Sequence, residues 1–254
     1  MHERWKGIDV AMSLRFTGYP ERARRIDREL ERVGLDALPH WTFDTPADDL
    51  MLRLVKVSKT GTPPSAMRKR YFSVSMGQYA CWKICRGLGA EHCLIVEDDV
   101  AFLKDLDRLT LALESVPADY DVALLDKMKS HGTTVGYVLD RLRDGRVNDF
   151  WARGWGEDGP RSTGAYLLSR RGLDLLINRW EDVLKLTPGR PFRVVDCLFG
   201  RNRLHAPFNL YVAHPNAAIQ APLEGGITVG EFDGDNIFMQ FYRAIGVDPE
   251  DYAI

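Results

Sequence analysis

The chain has 254 residues, of which 45% are hydrophobic and 28% are charged, and its formal net charge is -2. Bulk charge therefore argues for neither a nucleic-acid-binding protein nor a membrane-surface protein. No apolar run reaches the ~20 residues of a membrane span, and the N-terminus has no apolar signal segment, so we expect a cytoplasmic protein. Because no break in composition marks a linker and the length suffices for a sizeable core, we expect one domain over residues 1–254.

The cysteines are expected to be reduced, since nothing in the sequence indicates a secreted chain. They are Cys81, Cys85, Cys93 and Cys197. A zinc site that adds His92 to the first three cysteines is an alternative. The helical spacing of the first pair favours small buried hydrophobic side chains instead.

The first predicted elements are a strand over residues 8–14 and a helix that begins at Pro20 and ends near Gly34. The helix has apolar residues at helical spacing, namely Ala23, Ile26, Leu30 and Val33. Its Arg and Glu residues include opposite-charge pairs three or four apart and are expected to be mostly solvated. Arg22 is the exception, because a cation in the first turn, close to the end of the strand, could reach a phosphate at the sheet edge.

Residues 42–65 contain several Asp, Gly and Pro residues and do not indicate one element; a connection this long in a compact domain is usually functional. Arg68, Lys69 and Arg70 follow, and they form either a solvated surface run or an anion-binding lip. A helix is predicted from about Ser75 to Gly87.

The most informative stretch is the short apolar run at 93–96 with three carboxylates directly after it, Glu97, Asp98 and Asp99. The unbroken run predicts a strand buried on both faces of a sheet. Ligand crevices of open α/β sheets lie at the carboxyl ends of the strands, so this strand would deliver its acids to such a crevice. Adjacent carboxylates repel one another, and a divalent cation with oxygen ligands, Mg²⁺ or Mn²⁺, would relieve the repulsion. The alternative is a solvated acidic turn that caps the next helix.

The second half of the chain continues the alternation of strands and helices, which predicts an α/β fold with a largely parallel sheet. Strands are predicted over 121–126, 162–169 and 208–212, and helices over 103–116, 173–184 and from 235 onward. Asp126 ends the first of these strands, and Asp196 lies among apolar residues. Trp151 and Trp155 could stack on a sugar or a base, although core anchoring is the commoner use of Trp.

Several stretches match the motifs of one enzyme family in order. YPERARRIDRELERVGLD follows Ser13 and Leu14, SMGQYACWKICRGLGAEHCLIVEDDVAF contains the acidic strand, and STGAYLLSRRGLDLLI, Asp196 and residues 212–220 come later. With these motifs the chain resembles glycosyltransferase family 25, which includes lipopolysaccharide-core and collagen sugar transferases. Arg22 stands at the family's arginine position.

The chain departs from the family's pattern in its second motif. Gln78 stands where the family usually has Glu, Ala80 where it has Gly, and Ile84-Cys85 where it has Ser-His. The missing His puts the donor or acceptor class in question, not the fold. The resemblance implies a GT-A type, Rossmann-like nucleotide-sugar-binding fold with a mostly parallel mixed sheet flanked by helices. Residues 1–126 would mainly bind the nucleotide sugar, and residues 127–254 would mainly bind the acceptor.

The resemblance and the chemistry of the residues assign candidate roles. The donor would be bound by Ser13, Leu14, Arg22, Arg70, Gln78, Glu97 and Asp98. The metal would be held by Asp99 as principal ligand, with Glu97 and His214, although a satisfied core histidine is the commoner case. The acceptor side would be lined by Thr163, Gly164, Tyr166 and Gln220.

Inversion at the anomeric carbon, which the resemblance implies, needs a general base that removes a proton from the acceptor hydroxyl. Asp196 is the first candidate, because its apolar neighbours would raise its pKa and make it a better base. A helix cap or a buried ion pair is the alternative role for Asp196. Asp126 is the second candidate for the base.

The expected function is metal-dependent transfer of a sugar from a nucleoside diphosphate sugar, UDP-sugar first, to a hydroxyl acceptor. The acceptor would be a bacterial glycan such as lipopolysaccharide, a protein or a modified nucleobase. One alternative is a metal-dependent nucleotidyl- or phosphoryl-transfer enzyme, which the lack of a Walker-type loop and of a Gly-x-Gly-x-x-Gly motif weakens. The other is a non-catalytic binding module, for which the missing Ser-His argues and against which the intact acid triplet argues.

Overall fold

The computed structural model describes residues 3–42, 66–127, 134–155, 163–184, 209–220 and 237–252. Asp196, Cys197 and residues 43–65 lie outside this part of the chain. Within the described residues, none of the helices combines the length and the apolar composition that crossing a membrane requires.

Strands and helices alternate through most of the described residues. The strands are β1 (Val10–Phe16), β2 (Leu38–Thr42), β3 (His92–Glu97), β4 (Val100–Phe102), β5 (Val122–Leu124), β6 (Trp151–Arg153), β7 (Ala165–Ser169), β8 (Leu210–Ala213) and β9 (Ala218–Gln220). The helices are α1 (Pro20–Arg32), α2 (Ala66–Gly87), α3 (Leu106–Glu114), α4 (Val135–Asp144), α5 (Arg170–Leu184) and α6 (Ile237–Ala244).

Seven of these strands form one sheet in the order β2-β1-β3-β7-β5-β8-β6. β1 pairs in parallel with β2 and β3, and β5 pairs in parallel with β8. β7 is antiparallel to β3 and β5, and β6 is antiparallel to β8. Five strands of this sheet thus run in one direction, and β7 and β6 run in the other. The predicted α/β fold with a mixed, mostly parallel sheet flanked by helices is confirmed.

This topology brings distant segments of the chain to one edge of the sheet. β1, β3 and β5 end there at Phe16, Glu97 and Leu124, and the antiparallel strand β7 begins there at Ala165. The short antiparallel pair of β4 and β9 follows directly beyond the end of β3. Side chains at these strand ends are therefore neighbours in space although they are far apart in sequence.

The core is built around β3, in which residues 93–96 have no exposed surface. The unbroken apolar run therefore forms the fully buried strand that was predicted, and the apolar residues of α1 are also buried. Trp151 and Trp155 are buried, and the Trp151 indole N–H donates to the Ala112 carbonyl at 2.8 Å, so both anchor the core and neither is a stacking platform. The three described cysteines are buried free thiols.

Three charged residues of α1 bind the backbone of β4, although most of the other charged residues of this helix are exposed as expected. Glu29, only 6% exposed, accepts a hydrogen bond from the Phe102 N–H at 2.7 Å. Arg25 donates to the Val100 carbonyl at 3.3 Å, and Arg32 donates to the Phe102 carbonyl at 3.2 Å. Among the described strands β4 pairs only with β9. Side chains of α1 thus satisfy backbone groups that a further strand would otherwise bind.

Glu29→Ala should lower the free energy of unfolding by about 2 to 3 kcal/mol, because it leaves the buried Phe102 N–H without its acceptor and Arg32 without its ion pair. Urea-induced unfolding followed by circular dichroism measures this change. The matched control is Glu31→Ala, an exposed position on the same helix, which should change stability by less than about 0.5 kcal/mol. Equal effects of the two substitutions would contradict the role of Glu29.

Candidate functional site

The acidic turn, which we define as Glu97, Asp98 and Asp99, joins β3 to β4 at the carboxyl edge of the sheet. All three residues are buried, with exposed fractions of 7%, 0% and 8% respectively. The next helix, α3, is capped by Asp105, whose side chain accepts from two backbone N–H groups of the first turn. The acids therefore lie at the carboxyl edge of the sheet, as expected from the sequence. They do not form a solvated turn that caps α3.

Arg22, in the first turn of α1, faces two of these acids. Its Nη2 lies 2.5 Å from Asp98 Oδ1 and 3.0 Å from Asp99 Oδ2. The guanidinium carbon is 5.7 Å from the ring centroid of Phe16 and 5.5 Å from that of Tyr19, and Arg22 is 5% exposed. Asp98 Oδ2 also accepts from the Phe16 N–H at 2.8 Å, which ties the acidic turn to the end of β1. Arg22 is therefore the counter-ion of the acidic turn in this structure.

Some polar atoms of this cluster have no hydrogen-bond partner within the described part of the chain. They include Nε and Nη1 of Arg22, Nη1 of Arg25 and Oδ1 of Asp99, all of them buried. Buried polar atoms without partners are uncommon, and each costs about 1 to 3 kcal/mol. Phosphate oxygens would accept from the two arginines, and a divalent cation would bind the aspartate oxygen. The residues present therefore fit a cation and an anion bound together.

Burial raises the pKa of two acids in the turn. Loss of hydration raises the pKa of Glu97 to about 8, the charge of Asp99 adds to the rise, and hydrogen bonds to Glu97 oppose it. Loss of hydration also raises the pKa of Asp98 to about 6, although Arg22 favours the charged form of Asp98. Glu97 is thus largely protonated at neutral pH, and a cation at the turn would favour its ionised form.

A chain of hydrogen bonds from α2 and β7 positions Glu97. The Trp82 indole N–H donates to the Tyr166 hydroxyl at 2.8 Å, and that hydroxyl donates to Gln78 Oε1. Gln78 Nε2 then donates to Glu97 Oε1 at 2.7 Å. Because the Gln78 oxygen accepts from Tyr166, the amide nitrogen has to face Glu97. Tyr166 has no exposed surface, and its hydroxyl holds Gln78 in place; its predicted place on the acceptor side stays a prediction.

A second buried cluster is centred on Asp126, which follows β5. Asp126 Oδ1 accepts from the Tyr242 hydroxyl at 2.9 Å and from Asn216 Nδ2 at 3.1 Å. Lys127 Nζ donates to Asn216 Oδ1 at 2.5 Å and to the Ala213 carbonyl at 2.7 Å. Burial lowers the pKa of Lys127 to about 7. Tyr242 and Asn216 lie 116 and 90 residues from Asp126 in the sequence, so no local pattern could indicate these contacts.

Gly164 lies between the two clusters. A Cβ at this position would be 3.1 Å from Asp126 Oδ2 and 3.1 Å from Gln220 Cγ, so the absence of a side chain permits a close approach. The Gly164 carbonyl accepts from the Glu97 N–H at 2.7 Å. Thr163 hydrogen-bonds the Glu97 side chain. Three of the four residues predicted on the acceptor side are therefore brought together next to the acids.

The structure places the other predicted donor-binding residues on β1 and α2. Leu14 pairs in register with Glu97, but its side chain has no exposed surface. The Ser13 hydroxyl accepts from Arg15 Nε at 3.2 Å. Arg70 falls in α2, and its side chain is outside the described part of the chain. The donor-binding roles of these residues stay predictions.

The predicted metal ligands are not assembled as a set of three. In the described residues, no group of three or more His, Cys, Asp or Glu side chains is arranged to hold a metal ion. His214 has a pKa lowered to about 4 by burial and by the charge of Lys127. Glu97 and Asp99 remain as candidate ligands, so a cation here would take further oxygen ligands from a substrate and water. Metal binding and the role of Asp196 stay predictions.

Solved structures with low similarity to this chain include the two that follow. No family model and no curated protein sequence matches the chain, so membership in glycosyltransferase family 25 stays a prediction. Mannose-1-phosphate geranyltransferase from Thermus thermophilus is 14% identical, with 84% of this chain and 75% of that chain covered and a TM-score of 0.39. The glycosyltransferase GlyE of Streptococcus pneumoniae is 10% identical, with 95% of this chain and 61% of that chain covered and a TM-score of 0.42. Neither likeness is strong enough to bear on activity, which has to be argued from this chain's own residues.

Glu97→Gln should flatten the pH dependence of stability. An acid whose pKa is raised by folding binds its proton more tightly in the folded state, so the contribution of Glu97 to wild-type stability falls as pH rises from about 5 to about 8, by up to about 1.4 kcal/mol per pH unit. The variant has no such proton to lose, yet its amide oxygen can still accept from Gln78. Part of the slope should remain at the low end of this range because of Asp98.

Urea unfolding at one-unit steps between about pH 5 and about pH 8, with a chelator present, measures this effect. Glu91→Gln is the control, since Glu91 is exposed and precedes the same strand. If the free energy of unfolding depends on pH in the same way for wild type and Glu97→Gln, the raised pKa of Glu97 is contradicted.

Proposed function

We propose that this protein is a metal-dependent, inverting glycosyltransferase of the GT-A type that moves a sugar from a nucleoside diphosphate sugar to a hydroxyl acceptor. The proposal rests on the buried acidic turn, where Asp99 has an oxygen and Arg22 has two nitrogens without hydrogen-bond partners among the described residues. Such a combination fits a divalent cation and a diphosphate bound side by side. The resemblance to family 25 supports the same function and makes UDP the first nucleotide to test.

The donor side follows from the contacts of the acidic turn. Asp99 would be the principal metal ligand, and Glu97 would join it after losing its proton. The metal, when bound, would neutralise charge that develops on the diphosphate leaving group. Arg22 would donate from Nε and Nη1 to phosphate oxygens. Asp98, which is held by the Phe16 N–H, would orient Arg22.

The acceptor side needs a carboxylate that removes a proton, for which Asp196 and Asp126 are the candidates. The described contacts support Asp126, because Tyr242 and Asn216 both donate to its Oδ1 and so fix the orientation of the carboxylate. Its Oδ2 lies beside Gly164, on the predicted acceptor side. Asp126 would therefore take the proton of the acceptor hydroxyl through Oδ2. The acceptor itself would be a bacterial glycan, a protein hydroxyl or a modified nucleobase.

Two substitutions separate the proposed roles. Asp99→Asn should weaken Mn²⁺-dependent binding of UDP at least about tenfold, because it removes the charge that holds the metal. Asp126→Asn should leave that binding within about twofold but slow the metal-dependent hydrolysis or transfer of a sugar nucleotide at least about 100-fold. Calorimetric titration measures the binding, and chromatography of released UDP over a panel of UDP-sugars measures the turnover.

Asp107→Asn serves as the control for both measurements, since Asp107 is exposed on α3. A wild-type protein that binds neither UDP nor GDP in the presence of Mn²⁺ would contradict the proposed function. Binding without turnover of any sugar nucleotide would favour a binding module. Release of pyrophosphate from a nucleoside triphosphate would favour nucleotidyl transfer.

A further inference from the structure

The charge at the acidic turn is already compensated by the protein. Arg22 Nη2 contacts Asp98 and Asp99 at 2.5 Å and 3.0 Å, and the arginine side chain is only 6% exposed. A second guanidinium, that of Arg25, lies one turn further along α1; burial lowers its pKa, and the nearby charge of Asp99 opposes that shift. Water therefore screens the Arg22 charge only weakly.

A bare divalent cation would have to share Asp99 with this buried positive charge. Like charges a few ångströms apart repel strongly in a poorly hydrated site. Arg22 is packed against Phe16 and Tyr19 and bound to Asp98, and these contacts oppose its withdrawal from the site.

A diphosphate would make binding of the cation at the acidic turn more favourable in two ways. Its negative charges offset the repulsion between the cation and Arg22, and its oxygens can accept from Arg22 Nε and Nη1, which have no other hydrogen-bond partner in the described residues. The same arginine that disfavours the free cation would then favour the cation that arrives with its anion.

We infer that Arg22 makes the acidic turn bind a divalent cation in complex with a diphosphate in preference to the bare cation. Arg22 is thus a specificity-determining residue of the donor site and sets the order in which the components bind. This inference rests on the proposed function, because it assumes that the donor's diphosphate binds at the acidic turn.

The test compares the binding of Mn²⁺ alone with that of Mn²⁺ plus equimolar UDP, by calorimetric titration of the chelator-treated protein. Wild type should bind the complex at least about 30-fold more tightly than the bare ion. Arg22→Gln should bind bare Mn²⁺ about tenfold more tightly and the complex about tenfold more weakly than wild type. The opposite signs of these two changes distinguish selection from a general loss of structure.

Two further variants complete the design. Arg24→Gln is the matched control, because Arg24 lies on the same helix but is exposed and pairs with Glu21; it should keep both wild-type affinities. Arg22→Lys keeps the positive charge and loses the planar fork, so it should bind the bare ion as weakly as wild type and the complex several-fold more weakly. The affinities of Arg22→Lys keep the inference testable if Arg22→Gln does not fold.

The outcomes separate this inference from the proposed function. Wild-type protein that binds bare Mn²⁺ as tightly as the complex would overturn the inference and leave the function standing, as would an unchanged affinity ratio in Arg22→Gln. Wild-type protein that binds neither form would overturn both.

Discussion

The structure depends on how three adjacent carboxylates are tolerated with almost no contact to water. Each of them loses hydration at the end of β3, and the raised pKa values of Glu97 and Asp98 show that this loss outweighs the stabilising contacts of both groups. Arg22 supplies the nearest compensating charge, and the Phe16 N–H supplies a hydrogen bond to Asp98. Asp99 still has an oxygen without a hydrogen-bond partner in the described residues. The acidic turn is therefore held in place but not fully satisfied, which is the condition expected of a site that binds a cation.

Helix α1 is what makes this arrangement possible. Its apolar side packs in the core, and its charged side binds the acidic turn and then the backbone of β4 through Arg25, Glu29 and Arg32. A solvated helix could not hold Arg22 within 3.0 Å of Asp99. The helix that supports β4 also directs the guanidinium of Arg22 at the acidic turn, so the fold and the proposed donor chemistry depend on side chains of one helix.

The sequence predicted those features that a local pattern determines. The buried strand β3, the apolar spacing of α1 and the position of the acids at the sheet edge follow from runs of a few residues. The hydrogen bond between Tyr166 and Gln78 joins residues 88 apart, and that between Tyr242 and Asp126 joins residues 116 apart. No spacing rule connects such residues, so the roles of Tyr166 and Tyr242 needed the structure. The burial of Glu29 could not be predicted, because a helix pattern cannot show that β4 leaves an edge to which this side chain binds.

The central claim, that a cation and a diphosphate complete the acidic turn together, is tested most directly by a crystal structure grown with Mn²⁺ and UDP. Anomalous diffraction at the manganese edge should give a peak that contacts both Asp99 and a diphosphate oxygen, with Arg22 Nε or Nη1 donating to the phosphates. Manganese bound elsewhere would contradict the claim. So would a diphosphate bound without a metal ion between it and Asp99, with the contact between Arg22 and Asp99 unchanged.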